Sequence, residues 1–125
     1  MDDQGHGFSK AERLRKRKEF LGVYERGDKI QATYFVLYIL ENGRPHHRLG
    51  ITASRKIGRA VVRNRIKRRL REIFRTNKQA VFPHCDLVVN AKRSAARARN
   101  QQIQEDILKG ILRWKRKAAP PGRKG

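Results

Sequence analysis

The residues best suited to chemistry concentrate in one stretch, residues 55–75, where ten Lys and Arg side chains accompany a single acidic residue, Glu72. The stretch therefore carries a net charge of +9 in 21 residues. Like charges spaced by four residues destabilise an isolated helix by roughly 0.2–0.5 kcal/mol per pair. A helix face of this kind is typical of a surface that binds a polyanion, because phosphates relieve the repulsion. Its cations are Arg55, Lys56, Arg59, Arg63, Arg65, Lys67, Arg68, Arg69, Arg71 and Arg75.

Arginine predominates among these cations. The planar guanidinium binds phosphate oxygens in pairs and stacks on exposed bases, which suits RNA with an irregular backbone. The sequence shows no helix-turn-helix pair, zinc-ligand spacing or leucine zipper. RNA is therefore favoured over duplex DNA. A ribosomal or other structural RNA-binding protein and an architectural DNA-binding protein stay open as alternatives.

Two aromatic residues four positions apart, Phe20 and Tyr24, stack one above the other on a predicted helix. Such rings serve either as core or as a platform for single-stranded nucleic acid, where each stacked base contributes about 1–3 kcal/mol. Taken alone, such a pair is more often part of a core. The cations at positions 15–18 and a neighbouring sheet face that carries Tyr38 strengthen the case for the platform, and both interpretations stay open.

Patterns for catalysis and metal binding are weak. The triplet His84-Cys85-Asp86 belongs to an extended segment, on which successive side chains point to opposite sides, so the three cannot ligate one ion together. The sequence contains no G-x-x-x-x-G-K phosphate loop and only 11 carboxylate side chains. We therefore expect no catalytic residue and no metal ligand in the protein itself.

The first helix and the sheet that position these residues follow from hydrophobic periodicity. Residues 14–25 predict a short helix with an apolar face, and Gly27 ends it. Residues 32–40 and 48–54 predict two strands, most simply joined as a β-hairpin through Asn42-Gly43. One sheet face is fully apolar, whereas the other combines Val36 and Tyr38 with small residues. The apolar face of the helix consists of Phe20, Leu21 and Tyr24.

Two further helices and a strand complete the predicted domain. Residues 59–78 predict a long helix, residues 86–91 a buried strand, and residues 100–115 a last helix. The long helix sets its basic face opposite a stripe made of Val62, Ile66, Leu70 and Ile73. The inward stripe of the last helix consists of Ile103, Ile107, Ile111 and Trp114.

The predicted order is α-β-β-α-β-α, an α+β sandwich in which helices pack on one small sheet around a long basic central helix. The 125 residues suit one domain, which we place at residues 13–117. A flexible N-terminal arm at 1–12 and a disordered basic tail at 118–125 flank it. The net charge of +21 predicts a polyanionic partner. A single Cys and apolar runs too short for a signal peptide or a membrane span favour the cytoplasm and no membrane.

The stretch KIGRAVVRNRIKRRLRE at residues 56–72 resembles the signature of the bacterial ribonuclease P protein component, whose hallmark is an Arg-Asn-Arg triplet that opens a basic helix. Here the triplet is Arg63-Asn64-Arg65. The similarity extends to RKEF at 17–20, to FVLY at 35–38 and to RLGI at 48–51, and covers roughly residues 10–115. The resemblance implies a small α-β sandwich with a left-handed βαβ crossover around the basic helix.

The resemblance also implies two binding surfaces. The first would bind a large catalytic RNA through Lys56, Arg59, Arg63, Asn64, Arg65, Lys67, Arg68 and Arg71. The second would be a cleft for the single-stranded 5′ leader of precursor transfer RNA, lined by Phe20, Tyr24, Val36, Tyr38, Thr52 and Arg55.

The activity that the resemblance implies is removal of the leader to give the mature 5′ end. The catalytic centre would lie in the RNA, with Mg²⁺ held by RNA phosphates and none bound by the protein alone. The protein would hold the leader and reduce the Mg²⁺ requirement. Its partners would be the catalytic RNA and precursor transfer RNA, with no obligate protein partner.

Overall fold

Three helices and four strands follow one another in a computed structural model that describes residues 12–77 and 84–118. They are α1 (Arg17–Arg26), β1 (Asp28–Gln31), β2 (Phe35–Glu41), β3 (Arg48–Thr52), α2 (Ala60–Thr76), β4 (Cys85–Ala91) and α3 (Asn100–Ala118). Short 3₁₀ turns occupy Arg55–Ile57 and Arg93–Arg97. The predicted α+β class and order of elements are confirmed, with the short strand β1 added.

The sheet has the strand order β1-β2-β4-β3. β2 is antiparallel to both β1 and β4, whereas β3 runs parallel to β4. The predicted β-hairpin is therefore wrong, because β4 lies between β2 and β3. Residues 42–47 form a longer connection than the two-residue turn that holds neighbouring strands together. β4 is buried along residues 85–89 on both faces and so takes the interior position.

α2 connects the parallel strands β3 and β4, which makes this unit the expected βαβ crossover. The left-handedness of this crossover stays a prediction from the resemblance. The preceding turn contains Gly58, whose φ of 154° and ψ of −164° are open essentially only to glycine. Gly58 thereby directs the chain from the 3₁₀ turn into α2.

The two faces of the sheet pack against different helices. On the main-core face Leu37 of β2, Val89 of β4 and Ile51 of β3 are paired across the strands, and α2 and α3 cover them. α1 contacts β2 and β4 on the opposite face, where Val23 packs on Val88. This second face is half-buried along β2, in agreement with the expected difference between the two faces.

The apolar stripes of the two long helices are confirmed. Ile66, Leu70 and Ile73 are buried, Phe74 joins them, and Val62 is half-buried against the same core. The four predicted residues of α3 are all buried.

The predicted apolar face of α1 is wrong at one position. Leu21 is 43% exposed, and Val23 is the buried residue of the helix. The physical reason is that α1 packs on the sheet through Phe20, Val23 and Tyr24, which share one side of the helix. Leu21, two residues before Val23, points about 160° away from it. The predicted stop at Gly27 is confirmed, since its backbone N–H closes the helix on the carbonyl of Val23.

The predicted arm and tail fall mostly on residues 1–11 and 119–125, which lie outside the described residues. The predicted domain boundaries therefore stay predictions. Within residues 12–77 and 84–118, no helix has both the length and the apolar composition needed to cross a membrane.

Candidate nucleic-acid interface

The basic residues of α2 lie on the side of the helix away from its buried stripe. Lys67 and Arg63 are half-buried, while the other predicted RNA-contacting residues are exposed. The exposed ones are Lys56, Arg59, Asn64, Arg65, Arg68 and Arg71. We call these eight residues the basic surface. It presents cations and one amide to solvent from the turn before α2 to Arg71 in the second half of the helix, an arrangement suited to phosphate binding.

The two arginines of the Arg-Asn-Arg triplet also donate hydrogen bonds that hold the start of α2 in place. Nη1 of Arg63 donates a hydrogen bond to the carbonyl oxygen of Gly58 at 2.8 Å. Nη2 of Arg65 donates to the carbonyl oxygen of Ala96 at 3.1 Å, across to the 3₁₀ turn before α3. Asn64 stays exposed between them. The triplet therefore fixes the position of the helix as well as its charge.

Three aromatic rings form a half-buried group between α1 and the sheet. Tyr24 and Tyr38 meet edge to face, with ring centroids 4.7 Å apart and an interplanar angle of 83°. Phe20 lies over Gly50, since a Cβ at that glycine would come within 2.6 Å of Cζ of the ring. The rings pack on a small cluster made of Leu14, Val23 and Val88. The rings contribute to a core and still keep surface accessible to solvent, which is compatible with either role considered for them.

Asn90 of β4 connects the predicted cleft residues, although the sequence analysis does not single it out. Its Oδ1 accepts a hydrogen bond from the hydroxyl of Tyr24 at 3.0 Å and another from the hydroxyl of Thr52 at 2.5 Å. Its neighbours across the sheet are Val36 on β2 and Thr52 on β3. The signal in the sequence was a side-chain amide in the otherwise apolar run LVVNA.

Five of the six predicted cleft residues lie on this one sheet face, as half-buried side chains of α1, β2 and β3. They are Phe20, Tyr24, Val36, Tyr38 and Thr52, and together with Asn90 we call them the aromatic face. Arg55 is exposed on the 3₁₀ turn that follows β3, beyond the edge of this face. Its role, like that of the other five residues, stays a prediction.

A cavity of about 200 Å³ joins the two surfaces. Phe20 of the aromatic face and Gly50 beneath its ring line one side, and Lys67 and Arg71 of the basic surface line the other. Arg13 and Arg15 from the segment before α1 add two more cations to its wall. A nucleic-acid strand can therefore pass from α2 to the aromatic rings without leaving a positively charged surface.

A buried ion-pair network fixes α1 against the sheet. Arg48 of β3 bonds Asp86 of β4 through two nitrogens and Glu19 of α1 through the third. Burial by itself would raise the pKa of Asp86, but hydrogen bonds from Arg48 and Asn42 outweigh it and hold that pKa below its usual value. The pKa of Glu19 is lowered by the backbone N–H groups of Lys16 and Arg15 and by the charge of Arg48.

The histidine and cysteine residues near β4 form a separate contact. The N–H of Cys85 donates to Nδ1 of His47 at 3.1 Å, and the rings of His47 and His84 meet edge to face at 4.7 Å. Burial, followed by the charges of Asp86 and Glu41, raises the pKa of the Cys85 thiol to about 12, so the nucleophilic thiolate does not form near neutral pH. Among residues 12–77 and 84–118, no three His, Cys, Asp or Glu side chains converge as ligands for a metal ion.

Comparison with known sequences places this chain in a family. The family model described as Ribonuclease P matches residues 8–115. A ribonuclease P protein component of Citrifermentans bemidjiense is 41% identical over 112 residues, which cover 90% of this chain and 96% of the relative. The ribonuclease P protein component of Thermotoga maritima is 45% identical over 82 residues, which cover 66% of this chain and 70% of the relative.

Solved structures show the same architecture. The ribonuclease P protein of Staphylococcus aureus superposes with a TM-score of 0.77 at 34% identity, over 83% of this chain and 95% of that one. The ribonuclease P protein from Thermotoga maritima superposes with a TM-score of 0.75 at 38% identity, over 82% of this chain and 96% of that one. Both matches cover most of this chain and nearly all of the solved one.

Proposed function

Since this chain belongs to the ribonuclease P protein family, we propose that its basic surface binds the catalytic RNA and its aromatic face holds the 5′ leader of precursor transfer RNA. As a ribonuclease P protein component it is a subunit of an endoribonuclease, binds RNA, and works with the ribonuclease P RNA in processing the 5′ end of transfer RNA. The proposal assigns each half of that task to named side chains.

One observation supports the assignment of the catalytic RNA to the basic surface and of the leader to the aromatic face. The cavity between Phe20 and Gly50 on one side and Lys67 and Arg71 on the other makes the two surfaces continuous. A substrate strand held at the aromatic face therefore lies beside the RNA held at α2. This contact is what a subunit needs in order to present one RNA to another.

The basic surface has the chemistry for a structured RNA. Its exposed guanidinium groups bind phosphate oxygens in pairs, and their rigid attachment to a buried helix stripe holds them at a fixed spacing. Neutralising phosphates where two RNAs approach each other removes part of the repulsion that Mg²⁺ must otherwise screen. The protein thereby reduces the Mg²⁺ concentration that cleavage requires.

The aromatic face has the chemistry for an unpaired strand. Half-buried rings offer their accessible surface to bases, and bases of any sequence have a face that can stack. The leader is present in the precursor and absent from mature transfer RNA. Contacts to it therefore favour binding of substrate over product.

The chemical step belongs to the RNA in this proposal. Among the described residues no carboxylate and histidine cluster could hold a metal ion, so we assign Mg²⁺, which supplies the activated water for phosphodiester hydrolysis, to RNA phosphates. The side chains of this protein then bind and orient, and none of them is a catalytic residue. We place the complex in the cytoplasm and include no obligate protein partner.

The direct test is cleavage of precursor transfer RNA by a bacterial ribonuclease P RNA at low Mg²⁺, with and without this protein. We expect the protein to restore cleavage at the mature 5′ end, and the Arg63→Ala, Arg68→Ala double variant to restore much less. Tight RNA binding with no change in cleavage would contradict the proposal and favour a purely structural RNA-binding role.

A further inference from the structure

Asn90 lies on the sheet beneath the aromatic rings, and its side-chain oxygen Oδ1 accepts two hydrogen bonds. Oδ1 accepts from the hydroxyl of Tyr24, 66 residues away in the chain, and from the hydroxyl of Thr52, 38 residues away. An amide oxygen has two lone pairs, so these two hydrogen bonds use its whole acceptor capacity. Asn90 therefore cannot accept a further hydrogen bond from a ligand.

The other half of the amide is available as a donor. The structure gives the Nδ2 group of Asn90 no hydrogen bond with any residue of the described ranges, and the side chain is only partly buried. The two hydroxyl bonds fix the plane of the amide, because each constrains the same oxygen from a different element. Nδ2 thus offers two N–H donors in a defined direction.

The surroundings of Asn90 suit a nucleobase. The apolar side chain of Val36 flanks it on β2, and the Tyr24 ring that it bonds meets the ring of Tyr38 edge to face. Rings and an aliphatic side chain cover the faces of a base, while a fixed polar group between them reads its edge. Asn90 supplies that polar group.

We propose that Asn90 is a specificity-determining residue, whose Nδ2 donates to O4 of a leader uracil or O6 of a leader guanine. It thereby favours these bases over cytosine and adenine, which carry an amino group at the corresponding position. An asparagine with both halves free pairs with adenine, because it accepts from the N6 amino group while it donates to N7. Here the acceptor half is occupied, so an exocyclic amino group meets a second donor and is disfavoured. The inference rests on the proposed function, since it needs the leader at this face.

The test compares uridine with cytidine, which differ at C4 by keto for amino while the ring size is unchanged. Precursor transfer RNAs carry an all-cytidine leader in which a single uridine is moved one position at a time. Their dissociation constants are measured with the protein assembled on a bacterial ribonuclease P RNA. At one leader position we expect uridine to bind about three- to tenfold tighter, the worth of one hydrogen bond.

Two variants of Asn90 separate recognition of the base from support of its neighbours. Asn90→Val removes the donor, and we expect the preference for uridine to fall to a ratio of about one. Asn90→Asp keeps an acceptor for both hydroxyls and replaces the N–H donors with a second acceptor oxygen. We expect it to reverse the preference in favour of cytidine, even though the added negative charge weakens binding of both leaders. Leu112→Ala is the control, which shortens an exposed aliphatic side chain on α3, away from the aromatic face, and should leave the ratio unchanged.

The outcomes distinguish a failure of base recognition by Asn90 from a failure of leader binding. A uridine preference that survives in Asn90→Val, or the lack of any preference in the unaltered protein, would overturn the role of Asn90 while leaving leader binding intact. Equal binding of precursor and mature transfer RNA would instead reject the proposed function itself. Thermal unfolding and affinity for the catalytic RNA are measured for every variant, so that loss of the fold is recognised.

Discussion

The guanidinium of Arg48 donates two hydrogen bonds to the carboxylate of Asp86, one from Nε at 2.8 Å and one from Nη2 at 2.6 Å. Its remaining nitrogen donates to Glu19 at 3.1 Å. The side chains of Arg48 and Asp86 are only 13% and 8% exposed. One guanidinium therefore ties α1 to β3 and β4, and the aromatic face depends on where it holds α1.

Replacing Arg48 with Met is expected to lower the free energy of unfolding by about 3 kcal/mol, because it leaves the buried carboxylate of Asp86 without its charge partner. Urea unfolding followed by circular dichroism measures this. The matched control is Arg75→Met, whose ion pair with Glu72 on α2 is far more exposed and should contribute nothing measurable. Equal effects of the two variants would show that the Arg48 network does not stabilise the fold.

Stability should also fall in acid. The folded state lowers the pKa of both Asp86 and Glu19, so their contribution is complete above their unfolded-state pKa values of about 4 and is lost as pH falls through the lower folded values. Urea midpoints between pH 7 and pH 3 measure the slope. Asp86→Asn should be less stable at pH 7 and show a flatter decline, with the remainder due to Glu19. Parallel declines in the two proteins would rule out this origin.

On the basic surface, the Arg63→Ala, Arg68→Ala double variant is expected to bind the catalytic RNA more weakly and with a smaller salt dependence. Each lost phosphate contact reduces the slope of log K against log salt by about 0.9 on duplex. The control is Arg116→Ala, an exposed cation on α3 that lines a different part of the surface. An unchanged salt slope in the double variant would show that these arginines of α2 do not contact RNA phosphates.

On the aromatic face, Phe20→Ala and Tyr24→Ala should each weaken binding of leader-bearing precursor by about 1–3 kcal/mol and spare binding of the catalytic RNA. Tyr24→Phe keeps the ring and loses only the hydroxyl that donates to Asn90, so it should retain most of the stacking. Affinities for precursor and mature transfer RNA are compared in the assembled complex. An equal loss of affinity for both RNAs would show that the two rings have only a structural role.

Gly50→Ala tests the contact between the sheet and the first aromatic ring. The new Cβ would lie 2.6 Å from Cζ of Phe20 and 3.1 Å from Cβ of Leu14, so the ring must move. We expect weaker leader binding at nearly unchanged affinity for the catalytic RNA. Gly22→Ala, whose Cβ meets only the flexible end of Arg26, should instead stabilise α1 by about 0.5–1 kcal/mol without affecting the leader. A tighter leader complex in Gly50→Ala would contradict this placement of Phe20.

Local patterns in the sequence were enough to predict the two long helices and their buried stripes. The stripe Ile66, Leu70 and Ile73 and its basic counterpart were predicted correctly because helical periodicity relates residues only three or four positions apart. The stop at Gly27 is equally local. The stretch at residues 56–72, with its Arg-Asn-Arg triplet, and the shorter similar segments at 17–20, 35–38 and 48–51 suggested the family.

The arrangement of the strands was decided only by the tertiary structure. β4 separates β2 from β3, although an Asn-Gly pair between those strands predicts a hairpin. Strand pairing depends on which strand can bury both faces, and that competition involves residues far apart in the chain. The burial of Val23 in place of Leu21 follows from the same docking of α1 on the sheet.

The polar connections of the site are likewise products of tertiary structure. Arg48 and Asp86 are 38 residues apart, and Tyr24 reaches Asn90 across 66. No periodicity relates such pairs, because the hydrogen bonds exist only once the parallel pairing of β3 with β4 and the packing of α1 have set their register. The sequence by itself thus determined what kind of ligand this protein binds, whereas the fold decided which side chains meet to bind it.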